Sequence, residues 1–320
     1  MVDHRSVPPA QDVLSEYPGD PDSTRVARAE RHRVPVPGGA ITMYFMPAEQ
    51  PGRGLPIVYV PGWGGTIEGF LDVIRSIGPD IDLTYVETRE KQTSELDPAA
   101  EFTMSRIGAD VGAAIRQRGL DDHSYVLLGS SFGGAVALQA LADGAVRPAT
   151  TILYDPMPRL WMPGWVLRYV APLLSARVVE FLRPGLKRLV LAGMREPTQR
   201  RRAAKFIDAG DMRKWRSAAI GLRDWDVFSV ASRIGAQVDV VNGCTDRFHD
   251  AAIYPAITRA IRYSRFLRIP VPESHREHLM GAVATAYARA YAPVRGAAGV
   301  FTADPRDRPV PESLRRFVRE

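Results

Sequence analysis

The chain has 320 residues, of which 45% are hydrophobic, and a net charge of +6. This length suits one large α/β domain or two smaller ones, and the apolar content is ample for a buried core. Its single cysteine, Cys244, excludes an intramolecular disulfide and a multi-cysteine metal site. No apolar run is long enough to span a bilayer and the polar N-terminus lacks a signal core, so we predict a cytoplasmic protein without an integral membrane segment.

The positive charge is concentrated in one part of the chain. Residues 156–224 carry 15 Lys/Arg against 5 Asp/Glu, a balance of +10, so the remaining residues sum to −4. A solvated helical face is the favoured interpretation, and contact of this basic segment with an anionic surface is the alternative. Zinc patterns, RNP-like strands and helix-turn-helix motifs are missing from the sequence, so no nucleic-acid partner is predicted.

The first elements follow a polar arm. Residues 1–28 are rich in Pro, Asp and Ser and predict a loose arm. Residues 29–36 and 40–46 flank Pro37-Gly-Gly and predict a β-hairpin. An apolar strand at 55–60 then runs into the glycine-rich turn at 61–66, where Thr66 is expected to cap a helix.

Strands and helices alternate from residue 55 to residue 155, which predicts a mostly parallel sheet flanked by helices. Residues 156–224 contain only helix-like segments, and the alternation returns from 238 to 291. An all-helical cap inserted into an α/β core is therefore expected. The predicted division is an arm (1–28), a core (29–155 and 225–292), a cap (156–224) and a tail (293–320).

The most informative stretch is the apolar run 125–128 followed by Gly-Ser-Ser-Phe-Gly-Gly and a helix-forming segment. A strand, a tight glycine turn and a helix form the context in which a G-x-S-x-G serine acts as a nucleophile. Gly129 and Gly133 flank Ser131 and permit the close packing that such a turn requires. The neighbouring Ser130 is expected to point away.

A serine nucleophile needs a base and a group that orients the base. Asp246 follows the strand at 238–241, and His275 follows the strand at 266–269. Both lie just past strand ends, where functional groups gather in open α/β sheets. The order Ser131, Asp246, His275 is the one expected for the elbow fold.

With these residues the chain resembles the α/β-hydrolase superfamily, with 156–224 in the position of a helical cap. Pro61-Gly-Trp-Gly-Gly is similar to the family's His-Gly-x-Gly-Gly oxyanion stretch, so the resemblance implies oxyanion donors at the backbone N–H groups of Trp63 and Phe132. Pro61 stands where histidine is common, which removes a side chain that usually ties this loop down.

The resemblance implies a cofactor-free, metal-free serine hydrolase that cleaves a carboxylic ester or thioester of a small acyl or aromatic molecule through an acyl-enzyme on Ser131. Carbon–carbon bond hydrolysis, or a lyase or cyclase reaction on the same triad, is the alternative chemistry. A ligand-binding scaffold that has lost catalysis is the alternative of a different class. The sequence leaves open whether the chain forms a homodimer.

Each assignment has a rival. His278 is the alternative base and Asp155 the alternative acid, although each also has a structural interpretation. Trp161 and Trp165 in the cap are the candidate substrate-binding residues. The charged run 87–91 follows a strand, and its two interpretations are a loop that faces the site and a solvated cluster of ion pairs, of which the second is favoured.

Overall fold

The computed structural model describes residues 10–20, 22–50, 54–244, 250–292 and 308–319. The strands in these ranges form one sheet and are β1 (Glu30–Val36), β2 (Gly39–Met46), β3 (Ile57–Val60), β4 (Leu83–Glu87), β5 (Glu95–Leu96), β6 (Val126–Ser130), β7 (Thr150–Tyr154), β8 (Val238–Asn242), β9 (Ser264–Arg268) and β10 (Val318–Arg319). The α-helices are α1 (Gln11–Glu16), α2 (Leu71–Ser76), α3 (Met104–Gln117), α4 (Phe132–Ala142), α5 (Ala176–Phe181), α6 (Arg183–Ala192), α7 (Pro197–Ala209), α8 (Met212–Gly221), α9 (Phe228–Ala231), α10 (Tyr254–Ala260) and α11 (Arg276–Tyr291).

The sheet is mostly parallel, as predicted. Its order is β1-β2-β4-β3-β6-β7-β8-β9-β10, and β5 pairs with β2. The six strands from β4 to β9 in this order run parallel to one another, whereas the predicted hairpin β1–β2 is antiparallel and joins β4 in the antiparallel sense. The carboxyl ends of the parallel strands therefore meet at one edge of the sheet, where ligand sites form in such folds.

Hydrophobic cores cover both faces of the sheet. Along β3, Ile57 and Tyr59 enter one core with α2 and α11, while Val58 and Val60 enter the other with α3, α4, α9 and α10. Successive strand residues point to opposite faces, so a strand buried on both faces is a continuous apolar run. This is why β3 and β6 are recognisable in the sequence without alternation.

The segment between β7 and β8 is helical, in agreement with the predicted cap. Residues 156–224 are all described, and they contain helices together with one isolated bridge from Arg159 to Asp226. One helix-like segment of this stretch, 165–181, is divided into a π-helical turn (Val166–Val170), a 3₁₀ turn (Ala171–Leu173) and α5. Pro172 accounts for the break, because proline supplies no backbone N–H to a helix interior.

The described part of the N-terminal arm is packed against the core, so the prediction of a loose arm is wrong for these residues. Val13 on α1 is fully buried. The guanidinium of Arg25 is also buried and donates to backbone carbonyls of Gly78 and Ile81. These bonds replace the water that solvates an arginine on an exposed arm.

The described part of the C-terminal tail, 308–319, forms a 3₁₀ helix (Glu312–Phe317) and β10, which pairs antiparallel with β9. Leu314 and Phe317 are fully buried in the core beneath α11. None of the helices in the described ranges combines the length and the hydropathy that a bilayer crossing requires.

Candidate active site

Ser131 lies in a strained turn between β6 and α4. Its backbone has φ +49° and ψ −114°, a combination that L-residues adopt only when the surrounding structure enforces it. Its N–H donates to the carbonyl of Tyr154 at 3.0 Å, and its own carbonyl accepts from Met157 N–H at 2.9 Å. The strand, sharp turn and helix predicted around Ser131 are thus present, and the side chain is half-buried.

The two glycines flanking Ser131 are required by close backbone packing. A Cβ added to Gly133 would lie 1.9 Å from the carbonyl oxygen of Val60, and one added to Gly129 would lie 2.8 Å from that of Gly133. Real Cβ contacts are never that short, so glycine alone lets α4 leave β6 at this angle and pass beside β3.

Ser130 points away from the turn, as expected. Its hydroxyl is buried and lies 3.0 Å from the Tyr59 hydroxyl. Burial raises the pKa of Tyr59 well above its ordinary value, so the phenol stays protonated. The Ser130 hydroxyl therefore has a structural role, and the Ser131 side chain is half-buried.

The glycine-rich loop 61–66 passes directly beside Ser131. A Cβ added to Gly62 would lie 3.7 Å from the Ser131 Cβ. The next residue, Trp63, packs edge-to-face on Phe132, with ring centroids 5.0 Å apart. The two residues whose N–H groups are the candidate oxyanion donors are thus in contact, one on each side of the serine turn.

The charged run 87–91, interpreted from the sequence as solvated, is instead fully buried. Lys91 Nζ donates to the Gly62 carbonyl and pairs with Glu90. Glu87 Oε1 accepts the N–H of Ile67 at 2.9 Å. The solvated interpretation is wrong because these side chains have partners inside the protein: Lys91 binds loop 61–66, and Arg89 pairs with Asp110 on α3.

The predicted cap at Thr66 is also wrong. Thr66 makes no side-chain capping bond, and the helix that follows is split into a 3₁₀ turn (Ile67–Gly69) and α2. Glu87 supplies the cap from a neighbouring strand. A carboxylate at a helix N-terminus satisfies a backbone N–H that otherwise has no intrahelical acceptor.

Burial raises the pKa of Glu87 to about 7, although bonds from Thr93 and the Ile67 N–H, and the charge of Lys91, act in the opposite direction. The carboxyl group is almost completely shielded from solvent, which disfavours its charged form. Glu87 therefore titrates near neutral pH under the loop that carries a candidate oxyanion donor.

The cap contacts both the glycine-rich loop 61–66 and the segment 91–94 that follows the charged run. Lys214 on α8 is buried and donates from Nζ to the carbonyls of Lys91, Gln92 and Ser94 at 3.0, 3.0 and 2.6 Å. Burial lowers its pKa. The indole of Trp215 packs on Trp63 at 6.0 Å between ring centroids. One helix of the cap thus contacts both the 91–94 segment and the glycine-rich loop 61–66.

His275 lies in the short turn between β9 and α11, at the same sheet edge as Ser131. It is exposed, and its Nδ1 lies 3.0 Å from the Ser274 hydroxyl. His278 is one turn further, with ring centroids 6.2 Å apart. Its Nδ1 is buried without a hydrogen-bond partner among the described residues. The two candidate bases are therefore neighbours.

The predicted acid, Asp246, lies outside the described residues. Its rival Asp155 is fully buried at the end of β7, with φ +47°. Its carboxylate accepts from Asn242 Nδ2 at 2.5 Å and pairs with Arg276 at 2.9 Å. Because Arg276 directly follows His275, Asp155 anchors the segment that carries the candidate base.

The cap reaches this segment through α7. Gln199 Nε2 donates to the Glu273 carbonyl at 3.2 Å and to the Glu277 carboxylate at 3.1 Å. Arg202 pairs with Glu277 and, at 3.0 Å, with Asp72 on α2. The candidate substrate-binding residues Trp161 and Trp165 lie further out in the cap and are 49% and 64% exposed.

Lys214 was missed as a site-supporting residue, whereas Glu87 and Lys91 belong to a run for which the solvated interpretation was favoured over one facing the site. Their position just past a strand end is the same signal that selected Asp246 and His275. In the described ranges no group of three His, Cys, Asp or Glu side chains has the geometry to hold a metal ion.

No family model matches the chain. Over 105 residues it is 30% identical to an N-formylmaleamate deformylase from Pseudomonas putida, and this match spans 33% of the chain and 38% of that relative. A thermophilic esterase from Thermogutta terrifontis is similar in structure, with a TM-score of 0.61 and 21% identity over 76% of this chain and 90% of the esterase. An N-formylmaleamic acid deformylase from Pseudomonas putida gives a TM-score of 0.57 at 15% identity, covering 79% of this chain and 99% of that one.

These neighbours, together with the sheet order and the strained serine turn, identify the architecture. The chain has the α/β-hydrolase fold, as the sequence resemblance implied.

Proposed function

We propose that the protein is a serine hydrolase that cleaves a carboxylic ester or thioester of a small molecule. The observation that carries the proposal is Ser131 itself, held at φ +49° in a sharp strand-to-helix turn, with Gly62 of a glycine-rich loop beside it. A serine in this conformation at the N-terminus of a helix is presented to a bound carbonyl and lies where negative charge is stabilised.

In the proposed reaction, a ring nitrogen of His275 accepts the Ser131 proton as the oxygen attacks the carbonyl carbon. The oxyanion accepts hydrogen bonds from the N–H groups of Trp63 and Phe132. The carbon–oxygen or carbon–sulfur bond then breaks, and the imidazolium returns the proton to the leaving group. Water, deprotonated by the same histidine, releases the acyl group and regenerates Ser131. Asp246 orients the histidine.

Amide hydrolysis is a second candidate. The observation that favours it is that both a sequence relative and a structural neighbour are named as deformylases of N-formylmaleamic acid, a small acidic amide. A cap with ten more basic than acidic residues suits an acidic substrate. The same residues would perform the reaction, with the amide nitrogen of the deformylated product as the leaving group, protonated by the imidazolium.

A fluorophosphonate probe tests the nucleophile. We expect wild-type protein to be labelled at Ser131, which peptide mass spectrometry identifies, and Ser131→Ala to lose labelling. The matched control is Ser130→Ala, which removes the adjacent hydroxyl and should keep labelling. Labelling at Ser130, or none in correctly folded wild type, would contradict the proposal.

Turnover of an ester, a thioester and an N-formyl amide then separates the two candidates. His275→Ala and His278→Ala identify the base, because only loss of the true base should lower kcat by several orders of magnitude without changing stability. Loss of kcat in His278→Ala alone would reassign that role.

A further inference from the structure

The cap has an outer layer whose helices pack on other helices of the cap. We define the outer cap layer as residues 161–192. Its helices α5 and α6 contain no buried residue. They pack on α8 and α7, respectively. α8 and α7 in turn contact the glycine-rich loop 61–66 beside Ser131. Trp215 of α8 lies against Gly64, and Phe206 of α7 lies against Gly65. The outer cap layer is thus the part of the cap furthest from the core.

This layer carries almost all the exposed large apolar side chains of the described residues. Phe228 on α9 is the single one outside it. Leu173 and Phe181 are the most exposed, at 86% and 84%. The members in the layer are Trp161, Trp165, Tyr169, Val170, Leu173, Val178, Phe181, Leu182 and Leu189. So dense an apolar surface on a globular protein marks an interaction site.

The exposed side chains follow helical spacing. Val178, Phe181 and Leu182, on α5 and at its end, are three and four residues apart, a spacing that normally buries one face of an α-helix. Trp165, Tyr169 and Leu173 recur every fourth residue across the π-helical and 3₁₀ turns. All six side chains are exposed, so no described part of the chain covers them.

The layer is also basic. It holds five Lys/Arg and one acidic residue, Glu180, which is already paired with Arg183 at 2.7 Å. Arg177 and Arg188 are exposed and form no ion pair with the described residues. Two exposed arginines without an ion pair among the described residues therefore belong to the same layer as the exposed apolar side chains.

We propose that the outer cap layer docks on an anionic lipid membrane surface. Trp, Tyr, Phe and Leu side chains insert at the boundary of headgroups and acyl chains, and arginines bind the lipid phosphates. A second copy of the chain fits less well, since a symmetric contact would bring Arg177 and Arg188 of both copies together. The proposal does not depend on the chemistry of Ser131.

Vesicle sedimentation with the full chain tests this. We expect binding to vesicles of phosphatidylcholine mixed with phosphatidylglycerol, little binding to phosphatidylcholine alone, and release at high salt. Ser131→Ala should bind like the wild type, so the result is independent of the proposed hydrolysis.

Two double variants test separately the contributions of the arginines and of the apolar side chains to vesicle binding. Arg177→Gln/Arg188→Gln should lower the partition coefficient about 30-fold, since each arginine near an anionic surface contributes about 1 kcal/mol. Its control is Arg31→Gln/Arg259→Gln, which removes the same charge from exposed positions of the core. Leu173→Ser/Phe181→Ser should lower binding at least about tenfold, with Phe228→Ser as its control. Thermal unfolding verifies that all variants fold.

Three results would overturn the proposal. These are equal binding to neutral and anionic vesicles, equal losses in the control and layer variants, or no vesicle binding at all. Dimerisation that Leu173→Ser/Phe181→Ser abolishes, without vesicle binding, would assign the surface to a second copy instead.

Discussion

Lys91 is fully buried between the glycine-rich loop 61–66 and the cap, where it donates to the Gly62 carbonyl and pairs with Glu90. The sequence has proline at position 61, where the resemblance leads one to expect a histidine that ties the loop down. Lys91 fixes the same loop from beneath, with a charge-assisted hydrogen bond to its backbone. The loss of that histidine side chain is therefore compensated by a residue from another strand end.

Lys91→Met should both destabilise the protein and slow the reaction. Removing one member of a buried ion pair costs about 3–5 kcal/mol, because Glu90 is left uncompensated. Adding Glu90→Gln removes that charge, so most of the stability should return, as measured by denaturant unfolding. kcat should stay low in the double variant, since Gly62 remains unheld. Full recovery of kcat would show that the loop does not need Lys91.

Glu87 should make stability depend on pH near neutrality. Its folded pKa of about 7 lies above the ordinary value of 4.5. The folded state therefore binds the proton more tightly, and this contribution to the free energy of unfolding is complete below about pH 4.5 and lost as pH rises to about 7. The difference is about 3 kcal/mol.

Glu87→Gln mimics the protonated side chain and keeps an acceptor for the Ile67 N–H. Denaturant unfolding at pH 5 and pH 8 should give wild type a larger stability at pH 5, and the variant should lose most of that difference. An identical pH dependence in both proteins would contradict the raised pKa.

At the scale of elements, the serine turn is determined by how closely α4 passes β3. Gly133 meets the Val60 carbonyl, and Gly129 meets the backbone of Gly133 and Gly134. The strained Ser131 conformation persists because helix and strand are fixed on both sides of it by the sheet and the two cores.

Gly133→Ala should therefore prevent the turn from closing. The new Cβ would lie 1.9 Å from a backbone oxygen, so β3 or α4 must move. We expect a loss of more than about 3 kcal/mol in denaturant unfolding together with loss of fluorophosphonate labelling. Gly235→Ala, an exposed glycine with no atom near its Cβ position, is the control and should change stability by less than about 1 kcal/mol. A stable, fully labelled Gly133→Ala protein would refute this account.

At the scale of the whole molecule, the cap and the core are joined by buried polar contacts as well as by apolar packing. Lys214 binds the 91–94 segment, and Arg202 with Gln199 binds Glu277, two residues after His275. The cap thus contacts the segment 91–94, the glycine-rich loop 61–66 and the segment that carries the candidate base.

Arg202→Met should weaken this connection. Glu277 is 7% exposed and would keep only the Gln199 contact, so we expect a loss of about 2–3 kcal/mol in denaturant unfolding. The neighbouring Arg201→Met removes an exposed arginine from the same helix and should change stability by less than about 0.5 kcal/mol. Equal stability of the two variants would show that Arg202 does not join cap and core.

The sequence by itself determined the alternation of strands and helices, the serine turn and the helical segment that interrupts the sheet. These features depend on local patterns: continuous apolar runs for strands buried on both faces, and glycines where backbones must approach. Ser131 and its flanking glycines could be predicted because the turn lies within a few residues of sequence.

Only the tertiary structure decided the environment of 87–91, the helix cap supplied by Glu87 instead of Thr66, and the exposure of the outer cap layer. A charged run after a strand has the same sequence whether water or a loop covers it, and an amphipathic stripe has the same spacing whether it is buried or exposed. Burial is set by contacts between segments far apart in the chain, such as Lys91 with Gly62 and Lys214 with Ser94. Local sequence patterns therefore do not predict those contacts.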